Sequence, residues 1–112
     1  MTIFKFYTLD GEFVKETEMR YTKLHNFSGI KEYPSGTKEW FINGIRHRDD
    51  DNPAIVSIDG HKEWWINMKR HRIGGPAVIH SNGLKFWYIN NIECSEEEHN
   101  LLFDMMKVKG LV

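Results

Sequence analysis

Residues 38–48 of this chain read KEWFINGIRHR, residues 62–72 read KEWWINMKRHR, and residues 85–93 read KFWYINNIE. The tryptophans at the third position of the three copies are 24 and 23 residues apart, and the asparagines three residues later have the same spacing. Repetition at a fixed period of about 20 to 50 residues is typical of proteins built from stacked supersecondary units. The sequence therefore predicts an array of similar units.

Each copy contains a β-hairpin signal. Aromatic and β-branched residues precede Asn43-Gly44, a dipeptide that strongly favours a two-residue hairpin turn. The same turn at Asn67-Met68 would repeat the arrangement. The cross-strand pairs predicted by this register include Ile42 with Ile45, Phe41 with Arg46, Trp65 with Arg70, Glu39 with Arg48, and Glu63 with Arg72. The two Glu–Arg pairs are expected to be exposed, so each should contribute no more than about 1 kcal/mol.

A second set of turn signals joins the units. These two-residue signals are Ser35-Gly36, Asp59-Gly60 and Asn82-Gly83. They predict that consecutive strands pair as an antiparallel meander without a crossover. Residues 29–94 would then hold about three units, and residues 1–28 a degenerate N-terminal copy that includes Leu24-His25.

The sequence pattern changes at Ser95-Glu-Glu-Glu98, which matches the capping box that opens a helix. Apolar residues then recur at helical spacing, so residues 95–109 are predicted to form a C-terminal α-helix that caps the array. A chain of 112 residues corresponds by length to one domain. The prediction is a single, mainly β domain over residues 1–112, an antiparallel β-hairpin repeat meander with a C-terminal capping helix.

Composition narrows the classes of function. The net charge of −1 arises from 15 basic and 16 acidic residues, so the chain lacks the basic excess that marks nucleic-acid or anionic-membrane binding. No apolar run is long enough to cross a membrane, and the N-terminus lacks a secretory signal. Cys94 is the single cysteine. These features favour a cytoplasmic protein with no cofactor and no membrane partner.

Three repeated histidines suggest a metal site, but the predicted sheet argues against one. His25, His47 and His71 would lie two strands apart, about 9.6 Å at 4.8 Å per strand. Ligands of one zinc ion lie within roughly 4 Å of one another, since each Zn–N bond is about 2.0–2.1 Å. We expect each histidine to pack on its opposing tryptophan and to hydrogen-bond a turn carbonyl, with no metal bound.

Adjacent residues of a strand point to opposite faces of a sheet, so Trp64 and Trp65 cannot both enter one core. The column of Trp40, Trp64 and Trp87 is the better candidate for the core. The neighbouring column, with the arginines opposite it, is predicted to bind a partner: Phe41, Arg46, Trp65, Arg70 and Tyr88. One short helix cannot cover all the apolar surface of such a sheet, which points to a homodimer or a second protein.

No nucleophile–base pair, phosphate-binding loop or paired-carboxylate motif stands out, so the chain is not expected to be an enzyme. The leading hypothesis is a non-enzymatic protein-interaction module. The alternative is binding of single-stranded nucleic acid through the aromatic and arginine face, because bases stack on aromatic rings. The balanced charge makes nucleic acid the weaker hypothesis.

The strings HRDDDNPAIVSIDGHKEWWIN and HRIGGPAVIHSNGLKFWYIN resemble the MORN-like repeats of bacteriophage and giant-virus proteins, of the form H-R-x-x-G-P-A…D-G…W-y-x-N-G. The resemblance covers residues 29–94. The second copy matches at His71, Arg72, Gly75, Pro76 and Ala77, whereas the first has one extra residue before Pro53. The resemblance implies a β-hairpin array without catalytic residues. It also suggests a bacteriophage accessory protein that acts in the host cytoplasm and inhibits or redirects a host or defence protein.

Overall fold

The structure is a computed structural model that describes residues 3–18 and 26–112. It contains twelve strands and one helix within those ranges: β1 (Phe4–Tyr7), β2 (Phe13–Thr17), β3 (Gly29–Glu32), β4 (Lys38–Ile42), β5 (Ile45–Arg46), β6 (Ile55–Val56), β7 (Lys62–Glu63), β8 (Trp65–Ile66), β9 (Lys69–Arg70), β10 (Val78–Ile79), β11 (Lys85–Ile89), β12 (Ile92–Cys94) and α1 (Glu96–Val108). The mainly β hairpin meander with a C-terminal helix is thus confirmed.

The main sheet has the strand order β12-β11-β10-β7-β6-β4-β3-β1-β2, and every pair is antiparallel. The strand β5 pairs with β4, while β8 and β9 form a separate two-stranded ribbon. From β3 onward the strands follow chain order, as predicted. The N-terminal strands depart from this order, because β1 lies between β2 and β3 in the sheet. Leu24 and His25, assigned to a degenerate copy, lie outside the described residues.

The turns that join the units have three loop residues rather than two. In the turn after β3, the Tyr33 N–H donates to the Thr37 carbonyl at 2.8 Å and the Gly36 N–H donates to the Tyr33 carbonyl at 2.8 Å. Gly36 has φ of +90°, the left-handed conformation that closes a type I turn with a bulge. The same bonds recur in the turns that contain Gly11, Gly60 and Gly83. The N-terminal hairpin therefore uses the turn of the repeats.

The second hairpin of each unit has the predicted two-residue turn. Asn43 and Gly44 both have positive φ, as do Asn67 and Met68, which is the type I′ geometry. The predicted backbone pairs of Phe41 with Arg46 and of Trp65 with Arg70 are confirmed.

Farther from the turns the predicted register is wrong. Glu39 pairs across the sheet with Ile55 of β6 instead of Arg48, and Glu63 likewise pairs with residues of β6 and β10 instead of Arg72. The cause is the segment that follows each short second strand. It turns away from its own hairpin and returns beside the first half of the long strand, where the Trp40 N–H donates to the Ala54 carbonyl at 2.8 Å.

The buried apolar residues form two groups along the sheet. Near the N-terminus Phe4, Phe6, Ile30 and Phe41 are buried. In the repeats the buried residues are Ala54, Trp64, Ala77 and Val78, and the two alanines have no exposed surface. Each alanine follows the proline of an N-P-A or G-P-A sequence, at a point where the backbones of adjacent units hydrogen-bond. A larger side chain would push these strands apart.

The helix begins as the capping box predicts. The Glu98 N–H donates to the Ser95 hydroxyl at 3.0 Å, and the Ser95 N–H donates to the Glu98 carboxylate at 2.9 Å. His99 is 3% exposed, and its Nε2 donates to the Arg72 carbonyl at 2.7 Å. This bond holds the first turn of the helix against the second complete unit.

Candidate functional site

Arginine and aromatic side chains alternate along one face of the repeats. The guanidinium carbon of Arg46 lies 4.5 Å from the centroid of the Trp65 ring, and that of Arg70 lies 5.1 Å from Trp65 and 5.5 Å from Tyr88. We call these four residues, Arg46, Trp65, Arg70 and Tyr88, the ladder. Each distance is within the range of about 6 Å at which a cation is attracted to an aromatic face. The ladder runs across three successive hairpins.

Backbone hydrogen bonds between neighbouring hairpins set the spacing of the ladder. The Met68 N–H donates to the Arg46 carbonyl at 3.0 Å, and the Asn91 N–H donates to the Arg70 carbonyl at 2.9 Å. Each turn is thus tied to the second strand of the preceding hairpin. Consequently the aromatic residue of one unit lies beside the arginine of the unit before it.

Two carboxylates lie beneath the ladder and hold its arginines. Glu39 is only 3% exposed and accepts hydrogen bonds from Arg46 Nε and from the Tyr33 hydroxyl, the latter at 2.6 Å. Burial, followed by the hydrogen bond to Glu39, raises the pKa of Tyr33 far above its usual value. The buried charge of Glu39 is therefore compensated by one cation and one neutral donor, as a buried carboxylate requires.

Glu63 has the same role in the next unit and has three partners. Its carboxylate accepts from Trp65 Nε1 at 3.0 Å and from Arg70 Nε at 3.1 Å, and it lies 2.8 Å from His61 Nε2. Burial alone would raise the pKa of Glu63, but the hydrogen bonds from His61, Arg70 and Trp65 outweigh it and hold the pKa below its usual value. The ionised carboxylate fixes the positions of both ladder side chains.

The ladder ends in the third copy, where the sequence departs from the pattern. Phe86 replaces the glutamate, and Glu93 stands opposite Tyr88 where the first two units have arginine. A cleft of about 250 Å³ lies at this end, with Arg70, Tyr88 and Glu93 among its lining residues. The ladder therefore ends with the Tyr88 ring, beside the exposed carboxylate of Glu93.

The structure brings together four of the five residues predicted to bind a partner. Trp65, Tyr88, Arg46 and Arg70 form the ladder, and each is partly exposed. Phe41 is 7% exposed and is excluded from this surface, since its ring packs 6.3 Å from that of Phe27. Phe27 in turn packs against Phe6 of β1, with ring centroids 5.5 Å apart, and the repeat pattern alone carries no information about these contacts.

The predicted tryptophan column is only partly core. Trp64 is 7% exposed, whereas Trp40 and Trp87 are half-buried. The two arginines that were predicted to pair with Glu39 and Glu63 instead stack on tryptophan rings. Arg48 lies on Trp40 and Arg72 on Trp64, each with its guanidinium carbon 3.9 Å from the ring centroid. The recurring H-R dipeptide was the available signal for these contacts.

His47 and His71 form hydrogen bonds with turns, but as acceptors rather than as the expected donors. The Asn67 N–H donates to His47 Nδ1 at 3.0 Å, and the Asn90 N–H donates to His71 Nδ1 at 3.1 Å. Each histidine is thus an acceptor that holds the turn of the next unit, so the expectation of a bond to a carbonyl is wrong. His25 lies outside the described residues. Within residues 3–18 and 26–112, no three His, Cys, Asp or Glu side chains are grouped closely enough to hold a metal ion.

Comparison of this chain with models of protein families, with curated proteins and with solved structures finds no match. The fold and the site define a mainly β hairpin-repeat protein with an arginine–aromatic surface. Its resemblance to MORN-like repeats remains an expectation based on the repeated motif. In the part of the chain that the structure describes, no helix is long and apolar enough to cross a membrane.

Proposed function

We propose that this chain is a non-enzymatic protein-interaction module and that the ladder is its binding surface. The observation that supports this proposal is the arrangement of Trp65 and Tyr88 between two arginines. Tryptophan, tyrosine and arginine are the residues most enriched among those that dominate the energy of protein interfaces. Here they form one continuous, partly exposed surface across three hairpins.

The ladder is also ordered before any partner arrives. Glu39 and Glu63 hold the two guanidinium groups, and Glu63 holds the Trp65 indole as well. Long side chains that are already fixed lose less conformational entropy on binding, and that entropy is a major cost of association. A prearranged surface of this kind therefore suits protein recognition.

The same carboxylates favour a protein over a nucleic acid. Both ladder arginines are already paired with glutamate, so phosphate groups would have to compete with those ion pairs. Binding to nucleic acid depends mainly on unpaired cations that neutralise phosphates. The balanced charge of the whole chain acts in the same direction. Single-stranded nucleic acid remains the alternative ligand because its bases could stack on the two ladder rings.

The resemblance to MORN-like repeats supports a narrower form of the proposal. In that form, the protein is a bacteriophage accessory protein, and its partner is a host or defence protein in the host cytoplasm, which it inhibits or redirects. A second copy of this chain is a further candidate partner, because the ladder could also serve as a homodimer interface. The variants described next distinguish these partners.

Tyr88 is the best residue with which to test the proposal. Among the described residues its hydroxyl has no hydrogen-bond partner, and its ring contacts a single cation, Arg70. Tyr88→Ala should therefore fold, with a moderate loss of stability. Trp65 is less suitable, because its indole N–H donates to Glu63 and its removal would destabilise the fold as well. Val108→Ala is the matched control, since Val108 is 88% exposed and lies on the helix.

The experiment compares proteins captured from a bacterial lysate by the parent chain and by the two variants, with mass spectrometry as the readout. We expect specific partners to be captured by the parent and by Val108→Ala but lost with Tyr88→Ala. Sedimentation analysis of the same three proteins tests self-association. Identical capture and identical mass for all three would exclude the ladder as a binding surface. Salt-sensitive binding of a single-stranded oligonucleotide that is lost with Tyr88→Ala would instead support the alternative.

A further inference from the structure

A groove of about 490 Å³ lies between the repeats and the C-terminal helix, away from the ladder. Its lining includes the apolar side chains of Trp64, Ile66 and Phe103 and the polar side chains of Arg48 and His71. Pockets that bind small molecules have volumes of about 300 to 1,000 Å³ and combine a mostly apolar lining with a few polar groups. The size and lining of this groove fit that description.

Arg48 is the arginine of the repeats that lacks a carboxylate partner within residues 3–18 and 26–112. Arg46, Arg70 and Arg72 pair with Glu39, Glu63 and Asp51, as the ion pairs of these three arginines show. Arg48 instead lies on the Trp40 ring and donates one hydrogen bond, from Nη1 to the Pro53 carbonyl at 3.0 Å. Burial lowers the pKa of Arg48, which reflects a cation that has lost water without gaining a counter-charge.

His71 supplies a second donor without an acceptor. Its Nδ1 accepts from the Asn90 N–H, so the neutral ring carries its proton on Nε2. In the preceding unit the equivalent Nε2 of His47 lies 2.6 Å from the Asp49 carboxylate. The position that corresponds to Asp49 is Ile73, and within the described ranges no acceptor replaces it. The change to isoleucine leaves one wall of the groove apolar and one donor unused.

The other charged groups of the groove compensate each other. Arg72 donates to both carboxylate oxygens of Asp51, from Nε at 2.9 Å and from Nη2 at 3.3 Å. That bidentate pair is neutral overall, so neither of its partners offers an unpaired charge to a ligand. Among the charged side chains that line the groove, Arg48 is therefore the one without an opposite charge beside it.

We infer that this groove binds a small molecule with an apolar body and one carboxylate. The carboxylate accepts hydrogen bonds from the Arg48 guanidinium, and the apolar body packs against Trp64, Ile66 and Phe103. Arg48 has a planar fork of donors of which one is occupied, so it can still present a two-pronged contact to a carboxylate. A charge-assisted pair in a partly desolvated groove is stronger than the same pair in water.

The test uses 2-naphthoate and its neutral isostere 2-naphthamide as probes of the full chain, with binding followed by NMR. The indole N–H of Trp64, which donates to the Asp51 carbonyl at 3.0 Å, is a built-in reporter of the groove. We expect naphthoate to shift this resonance and to bind at least about tenfold more tightly than naphthamide, a ratio equivalent to one charge-assisted hydrogen bond. This comparison needs no variant and does not depend on the proposed function of the ladder.

Variants then locate the carboxylate. Arg48→Gln should reduce the affinity for naphthoate to that for naphthamide. Lys85→Gln, which removes one positive charge from an exposed position, should leave both affinities unchanged. Equal affinities of the two probes for the parent chain, absence of naphthoate binding at millimolar concentration, or an equal effect of the two variants would overturn the inference.

Discussion

Replacement of Glu63 by alanine should destabilise this protein far more than an exposed ion pair would suggest. The Glu63 side chain is 13% exposed, and its carboxylate is shared by the Trp65 indole, the Arg70 guanidinium and the His61 ring. Alanine removes the acceptor of all three donors at once. The loss in the free energy of unfolding therefore depends on how easily each donor can form a hydrogen bond with water instead.

The three donors differ in this respect. The Arg70 side chain is 40% exposed and the His61 side chain is 24% exposed, so both regain water, and the Arg70 ion pair contributes up to about 1 kcal/mol. The Trp65 indole is only partly exposed and lies beside Arg70, and a donor left unsatisfied where water has limited access costs about 1–3 kcal/mol. Together these effects predict a loss of about 2–3 kcal/mol in the free energy of unfolding.

Urea denaturation followed by tryptophan fluorescence measures this loss. Glu93→Ala is the matched control, because Glu93 lies opposite Tyr88 in the third copy, is exposed, and forms no ion pair with a described residue. It should change the free energy of unfolding by no more than about 0.5 kcal/mol. If the two variants lose the same stability, then Glu63 does not organise the ladder.

The effect should also depend on pH, and its sign follows from the lowered pKa of Glu63. A carboxyl group whose pKa is lower in the folded state stabilises the fold above its unfolded pKa of about 4.3, and loses that contribution as pH falls through the folded value. The difference between parent and Glu63→Ala should therefore be constant from pH 7 to about pH 5 and shrink below about pH 4. A difference that grows in acid would contradict this assignment.

Two further predictions concern the turn of the second unit and the histidine that binds the next turn. Met68 has φ of +64° at the position where the first unit has glycine, so Met68→Gly should stabilise the protein by about 1 kcal/mol. Asn91→Gly should stabilise it less, because Asn91 Oδ1 accepts a hydrogen bond from the Arg70 N–H at 2.8 Å. Equal shifts of the melting temperature for the two variants would refute the reasoning. Burial, and then the charge of His99, lowers the pKa of His71, so the stabilising effect of the neutral His71 ring is present above about pH 6.5 and is lost as pH falls. The difference in stability between the parent and His71→Asn, measured by calorimetry, should therefore shrink between pH 7.5 and 5.5. A constant difference would contradict this prediction.

Elements governed by neighbouring residues could be read from the sequence. The Asn43-Gly44 turn requires two positive φ values, and the two residues on each side of it pair as predicted. The capping box at Ser95 and Glu98 places the start of the helix correctly. Each of these features depends on interactions within about four residues, and local backbone preference is sufficient to determine such interactions.

Features that depend on distant parts of the chain were decided by the tertiary structure. Phe41 and Trp65 occupy equivalent places in the repeat, yet Phe41 is buried and packs against Phe27, which packs in turn on Phe6, while Trp65 stays partly exposed. Glu63 binds Arg70 rather than Arg72 because the returning segment takes the place expected for its partner strand.

The sequence by itself determined the period of the repeat, its two kinds of turn-forming site and the helix that follows, because these are set by residue type at short range. The tertiary structure decided which side chains are buried, which carboxylate holds each arginine, and that Arg48 has no carboxylate partner among the described residues. Those outcomes depend on how strands far apart in the chain come together, since burial and charge compensation are properties of the packed surface and not of the repeat unit.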